Sequence, residues 1–127
     1  YIAPLPVPYD PELGIYKSMT KAMPMAPHAM QRANLQNLAK AQAIKDATMA
    51  HFISQHAQEG TVFLHFNGRG HSDFDEGIPW YLNKYAPKLK VMTLSTRTQE
   101  DISRLDDKAK DIADFVLVVS STMTKTY

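Results

Sequence analysis

Cysteine is absent from the 127 residues of this chain. Disulfide bonds, thiolate metal sites and a cysteine nucleophile are therefore excluded. The cellular compartment stays open, because periplasmic and cytosolic proteins can both lack cysteine.

An excess of charge of either sign is also lacking, since 14 basic residues face 13 acidic ones and the net charge is +1. Nothing in this balance indicates binding to nucleic acid or to an anionic membrane surface. The sequence shows no signal peptide and no apolar run near the roughly 20 residues that cross a bilayer. Nucleic acid is thus an unexpected partner, and no membrane span is expected in this chain.

Short apolar runs are present, and they predict strands at 61–66, 90–95 and 115–119. These runs are continuous rather than alternating, which is typical of parallel strands covered on both faces. Helical patterns precede and separate them, at about 11–22, 31–59, 75–86 and 99–112. The order predicts an α/β fold with three parallel strands and flanking helices, forming part of a larger α/β domain.

Residues 1–30 form a segment rich in proline and methionine. The first residue is Tyr1, and the opening YIAPLPVPYDP contains four of the eight prolines, which favours an extended chain. This composition separates 1–30 from the α/β part at 31–127 and indicates the middle of a larger protein.

A polar loop follows the first predicted strand and contains the candidate pocket residues Asn67, Gly68, Gly70, His71 and Ser72. Loops at the carboxyl ends of parallel strands commonly bind ligands. The two glycines are permissive joints that can adopt positive φ or allow close approach. A phosphate-binding loop is disfavoured, because the Gly-Lys-Ser/Thr ending is missing. Arg97, after the second strand, is expected to rim the same site.

Two polar residues interrupt the apolar stripe of the long predicted helix. Counted at 100° per residue from Leu35, Gln42 and Asp46 fall among the apolar positions. A buried carboxylate is costly without a partner, so Asp46 is expected to have one. Either Asp46 braces the backbone of the glycine loop, or it orients a histidine of the site.

The stretch HFNGRGHSDFDEGIPWYL (65–82) resembles the signature of the ChaN-like haem-binding uptake family, an iron-regulated lipoprotein family. Its wider superfamily includes the erythromycin esterases and the TIKI metalloproteases. AKAQAIKDATMAHFI (39–53) and ADFVLVVSSTMTKTY (113–127) resemble two further blocks of that family, in the same order. The family's Gly-Glu-x-His block does not occur here. The resemblance therefore implies that 31–127 is the C-terminal half of such a domain, completed by the missing N-terminal half or by a second copy in a homodimer.

The resemblance implies haem binding for bacterial iron uptake, with the protein in the periplasm or anchored to the outer membrane. Histidine, methionine and tyrosine are all known axial ligands of haem iron. The candidates are His28, Met23, Met25, Tyr81 and Tyr85. Ordinary packing is the alternative for each of them, since methionine fills irregular cores well.

The same superfamily implies a second hypothesis, a metal-dependent hydrolase. His65 and His71 would then bind a divalent metal or transfer protons, and Asn67 would stabilise an oxyanion. A zinc site needs about three protein ligands, so this chain alone does not complete one. We favour the haem-binding protein over the enzyme.

Overall fold

The structure is a computed structural model that describes residues 2–21 and 29–124, with side chains from residue 35 onward in the second range. The described part contains three α-helices and one two-stranded sheet, so the fold is mixed α/β. The elements are α1 (Gly14–Lys21), α2 (Ala29–His56), α3 (Ile78–Tyr85), β1 (Leu94–Gln99) and β2 (Phe115–Ser120). The predicted candidates Met23, Met25 and His28 lie outside the described residues. No helix in this part of the chain is long and apolar enough to cross a membrane.

Helix α2 is the central scaffold, because the other two helices pack along its length. Small side chains at Ala39 and Ala43 leave room for Tyr16 of α1, which is fully buried against them. Further along, α2 packs against α3 through a second apolar cluster that includes Ala47, Ala50, Ile53, Ile78, Tyr81 and Leu82. Alanine allows the helix axes to approach closely while keeping high helix propensity.

Helix α3 is shorter than predicted, because the residues before it cannot continue a helix. Phe74 and Asp75 have positive φ values of 62° and 55°, and Gly77 has φ 63°. Pro79 then lies in the first turn of α3, where its missing N–H costs no hydrogen bond. The helix therefore begins at Ile78 rather than near residue 75.

Strands β1 and β2 pair in parallel, with Leu94 opposite Phe115 and Gln99 opposite Ser120. Asp114 strengthens the start of this pair, since its carboxylate accepts hydrogen bonds from the Thr93 N–H (2.7 Å) and hydroxyl (3.0 Å). The predicted parallel arrangement is confirmed for these two strands. β1 begins at Leu94, four residues after the start of the predicted strand at 90–95, because the Thr93 N–H bonds the Asp114 carboxylate rather than a partner backbone.

The predicted strand at 61–66 is not part of the sheet, so the prediction of three strands is corrected to two. No ladder partner for this segment exists among the residues described, and Val62 and Phe66 are 85% and 90% exposed. An apolar run is stable as a buried parallel strand when neighbouring strands pair its backbone N–H and C=O groups and other elements cover both of its faces.

The predicted helices at 99–112 are also absent, and only a short 3₁₀ turn forms at Asp107–Ala109. The Gln99 amide instead donates to the carbonyls of Asp101 and Arg104. The Asp101 carboxylate accepts from both the N–H and the hydroxyl of Ser103. Side chains that bond the local backbone in this way compete with helix formation.

Candidate functional site

The loop from Asn67 to Gly77 is held by acidic side chains that each bond a different element. Asp73 accepts hydrogen bonds from Ser95 Oγ (2.7 Å) and from Arg97 Nη2 (2.8 Å), both on β1. The predicted rim residue Arg97 therefore braces the loop. Its Nε is buried with no hydrogen-bond partner among the described residues.

Glu76 ties the other end of the loop to α1. Its carboxylate accepts from the N–H groups of Gly14 (2.8 Å) and Ile15 (2.6 Å), the first residues of that helix. These N–H groups have no partner within the helix, and a negative charge is favourable at this end of the helix dipole. Glu76 thus fixes α1 relative to the loop.

Gly77 is the glycine that the loop conformation requires. A Cβ at this position would lie 2.6 Å from the carbonyl oxygen of His71 and 3.2 Å from Asp46 Oδ2, at a φ of +63°. The predicted joints behave differently: Gly68 has φ −65°, and a Cβ at Gly70 would meet nothing within 4 Å. The sequence pattern thus located the loop but did not identify Gly77 as the glycine that its backbone requires.

Asp46 is fully buried at the centre of a polar cluster formed by Tyr16, Gln42, Asp46 and His71, here called the His71–Asp46 cluster. Its Oδ2 accepts a hydrogen bond from the Tyr16 hydroxyl (2.9 Å), and its Oδ1 lies 2.5 Å from His71 Nδ1. The expectation of a partner for Asp46 is confirmed. Of the two alternatives, the direct contact is with the histidine ring.

Gln42 closes the cluster on its outer side. Its amide nitrogen lies 2.7 Å from Nδ1 and 3.2 Å from Nε2 of His71. An ionised carboxylate only accepts hydrogen bonds, so Asp46 selects the tautomer with hydrogen on Nδ1. In this tautomer Nδ1 donates to Asp46 and Nε2 accepts from the Gln42 amide, so both ring nitrogens have partners, although 24% of the His71 side chain is exposed.

Burial controls the proton affinities in this cluster. It raises the pKa of Asp46, while the hydrogen bonds from His71 and Tyr16 act in the opposite direction. Burial, and then the nearby Asp46 charge, raise the pKa of Tyr16 far above its usual range. Tyr16 is therefore a permanent donor to Asp46.

Tyr81 and Tyr85, predicted as haem candidates, differ in their surroundings. Tyr81 is fully buried, its hydroxyl donates to the Pro8 carbonyl (2.6 Å), and burial raises its pKa to about 12. The Tyr85 ring stacks on Tyr81 at 5.8 Å. Its hydroxyl is buried with no hydrogen-bond partner among the described residues. Tyr85 is thus the freer phenol of the two.

An apolar groove of about 340 Å³ lies beside the loop. The end of α2, residues 61–65, α3 and residues 89–94 form its walls. Asn67 and Ser72, which are hydrogen-bonded to each other at 3.1 Å, and the exposed His65 also line this apolar groove. The predicted pocket residues are therefore divided between two places: Asn67 and Ser72 in the groove, and Gln42, Asp46 and His71 in the cluster.

The predicted metal ligands His65 and His71 occupy these two different surroundings. Within residues 2–21 and 29–124, no three histidine, aspartate or glutamate side chains converge on a common point where a metal ion could bind. A zinc-like site is therefore not assembled by this part of the chain.

Tyr16 was missed by the sequence predictions. It lies 30 residues before Asp46, so no helical periodicity connects the two residues. The available signal was chemical: a buried carboxylate needs donors, and Tyr16 lies in the short helix predicted near 11–22.

Comparison with protein families gives a match over much of the chain. The model of the family described as haem-binding uptake, Tiki superfamily, ChaN matches residues 1–82, a range that includes the whole His71–Asp46 cluster and the loop. The third resembling block, 113–127, lies outside this range. No curated protein and no solved structure is significantly similar to this chain. Because the match covers more than half of its length, the chain belongs to the ChaN family of haem-binding uptake proteins within the Tiki superfamily.

Proposed function

We propose that this protein binds haem and serves in bacterial haem or iron uptake. The observation that carries the proposal is the family match over residues 1–82. The structure adds a suitable cavity, since ligand pockets commonly measure about 300–1,000 Å³ and the apolar groove holds about 340 Å³.

The His71–Asp46 cluster supports a structural role in such a binding protein. Asp46 joins α1, through Tyr16, to the loop that carries His71. Buried polar groups that satisfy one another specify a single arrangement of the elements that carry them. The cluster thereby fixes the loop at the edge of the groove.

A metal-dependent hydrolase is the second candidate function, and the His71–Asp46 pair is the observation in its favour. A histidine oriented by a buried carboxylate is a common acid/base arrangement. Two observations weigh against it here: Gln42 lies against the ring nitrogens, and the described residues group no three metal ligands. Haem binding is the better supported function.

The uptake role leads us to propose a location in the bacterial envelope, as a periplasmic or outer-membrane-anchored, iron-regulated lipoprotein. We also propose that a second polypeptide covers part of this chain, either an N-terminal half of the domain or another copy. Phe66, Phe115 and Leu117 support this proposal, because their side chains are more than half exposed.

Haemin titration followed by absorbance tests the proposed function. We expect a shifted Soret band that saturates near one haemin per chain, and we expect the chain unfolded in urea to lose it. Absence of any spectral response, combined with zinc retention and hydrolytic activity, would instead support the hydrolase.

A further inference from the structure

We propose that Tyr16 is a redox-active tyrosine, which gives one electron to a peroxide-derived radical while its phenolic proton moves to Asp46. This activity goes beyond haem binding and uses side chains of the protein alone. The Tyr16 hydroxyl donates a hydrogen bond to Asp46 Oδ2 over 2.9 Å, and both residues are fully buried. A donor and an acceptor at this distance are within reach of direct proton transfer.

The buried carboxylate supplies the base that oxidation of a phenol needs. A phenol that has lost an electron is a strongly acidic cation, and a new charge is costly in a buried site. In the proposed step the electron reduces the oxidant, the Tyr16 O–H bond breaks and an O–H bond forms at Asp46 Oδ2. The products inside the chain are a neutral tyrosyl radical and a neutral carboxylic acid, so the cluster loses a negative charge and gains no positive one.

The surroundings of the pair favour this direction of transfer. Burial raises the pKa of Asp46, which means that the site favours the protonated carboxyl group. Burial, followed by the Asp46 charge, also raises the pKa of Tyr16, so the phenol keeps its proton until it is oxidised. His71 bonds the other carboxylate oxygen, Oδ1, and leaves Oδ2 to Tyr16.

The other tyrosines of α1 and α3 and their neighbours lack such an acceptor. Tyr81 is equally buried, but its hydroxyl donates to the Pro8 carbonyl (2.6 Å), and an amide oxygen is a far weaker base than a carboxylate. The Tyr85 hydroxyl has no partner among the described residues. Within the described part of the chain, Tyr16 is thus the tyrosine whose hydroxyl bonds a carboxylate.

An aromatic contact connects the buried Tyr16 ring with the surface. The ring of Tyr9 lies 5.5 Å from the ring of Tyr16, measured between their centroids, and Tyr9 is only half-buried. Electron transfer slows steeply with distance, whereas rings in contact exchange electrons readily. An oxidant in solution can therefore withdraw the electron through Tyr9 without reaching the buried phenol itself.

Pulse radiolysis with azide radicals, which are one-electron oxidants of phenols, tests the proposal on the full chain without haem. Y16F and Y81F are matched variants, because each removes one hydroxyl and one hydrogen bond from a fully buried ring. We expect freeze-quenched samples of the wild type and of Y81F to show a long-lived tyrosyl radical by electron paramagnetic resonance. Y16F should lose this signal, with circular dichroism showing all three proteins equally folded.

Two further measurements test the role of the carboxylate. Asp46→Asn keeps an oxygen that accepts the Tyr16 hydrogen bond but does not take its proton, so the yield of the long-lived radical should fall. In the unaltered chain, heavy water should slow formation of the radical, an effect that a purely structural hydrogen bond does not produce.

Three results would overturn the proposal: a wild-type radical yield in Y16F, the same yield in folded Asp46→Asn, or equal rates in light and heavy water. A wild-type chain that forms no long-lived radical would also overturn it. Because haem is absent from these experiments, each of these outcomes leaves the proposed haem binding untouched.

Discussion

The His71–Asp46 cluster and the apolar groove both include side chains of the loop from Asn67 to Gly77, and they differ in how completely their polar groups are hydrogen-bonded. In the cluster, a fully buried carboxylate has two donors and both nitrogens of the histidine have neighbours. In the groove, His65 and the apolar side chains of 62–64 are exposed. A hydrogen-bonded polar cluster stabilises a fold, whereas an exposed apolar surface beside an exposed imidazole is available to a ligand.

The largest expected effect comes from breaking the cluster at its centre. Asp46→Ala leaves the Tyr16 hydroxyl and the His71 ring without their acceptor, which should lower the free energy of unfolding by about 3 kcal/mol. Urea unfolding measures this loss. Val62→Ala in the groove is the control, and its 85% exposed side chain should change stability by less than about 0.5 kcal/mol. Equal losses of unfolding free energy in the two variants would contradict the proposal that the cluster stabilises the fold and the groove does not.

The next effect separates backbone conformation from steric contact at the loop. Gly77→Ala combines a positive φ with a Cβ 2.6 Å from the His71 carbonyl oxygen, and it should destabilise the fold by about 2 kcal/mol or more. Gly60→Ala is the matched control, since Gly60 has φ +76° but open space around it. This variant should cost only about 1 kcal/mol. Thermal unfolding measures the stability loss of both variants. If Gly77→Ala loses no more stability than Gly60→Ala, the steric contact between residue 77 and the His71 carbonyl oxygen does not contribute.

A smaller effect distinguishes the two tyrosines of α3, Tyr81 and Tyr85. Tyr81→Phe loses the hydrogen bond to the Pro8 carbonyl and should cost about 1 kcal/mol. Tyr85→Phe removes a buried hydroxyl that has no partner among the described residues, so it should be neutral or slightly stabilising. Urea unfolding measures both changes. Haemin spectra of the same variants add a second readout, because a change in band position for Tyr85→Phe would identify Tyr85 as an iron ligand.

The smallest expected effects concern how folding stability depends on pH, and they have opposite signs for Asp46 and Asp114. Burial raises the folded-state pKa of Asp46, so its ionisation costs stability as the pH rises above the ordinary value of 3.8. Hydrogen bonds from Thr93 lower the pKa of Asp114, so its contribution is present above 3.8 and is lost as the pH falls. The stability advantage of the wild type over Asp46→Asn should therefore shrink with rising pH, and that over Asp114→Asn should shrink with falling pH. Unfolding curves between about pH 3 and pH 7 test this, and slopes of the same sign would contradict the assignment.

Local patterns predicted α1, α2 and α3 but also predicted helices at 99–112 that do not form, while the sheet and the site needed tertiary information. The apolar stripe of α2, and the polar residue Asp46 that interrupts it, are both visible within one continuous segment of the sequence. The segment 61–66 has strand-like composition, but a strand also needs a partner backbone, which no local pattern supplies. For the same reason the sequence located the loop but did not predict that His71 and Tyr16 both bond Asp46, or that Gly77 is the glycine the loop backbone requires. Met23, Met25 and His28 lie outside the described residues, so their proposed haem roles stay predictions.

Paramagnetic broadening by ferric haemin tests the central claim most directly, because it reports where on the chain the iron lies. We predict that amide and methyl signals of 62–65 and Met92 broaden most, with the effect falling along α2 from Ile53 towards Ala39, about 21 Å away at 1.5 Å per residue. Zinc protoporphyrin, which is diamagnetic, is the control for changes caused by binding alone. Broadening centred on Tyr16 and Gln42, with the groove signals unaffected, would contradict the account.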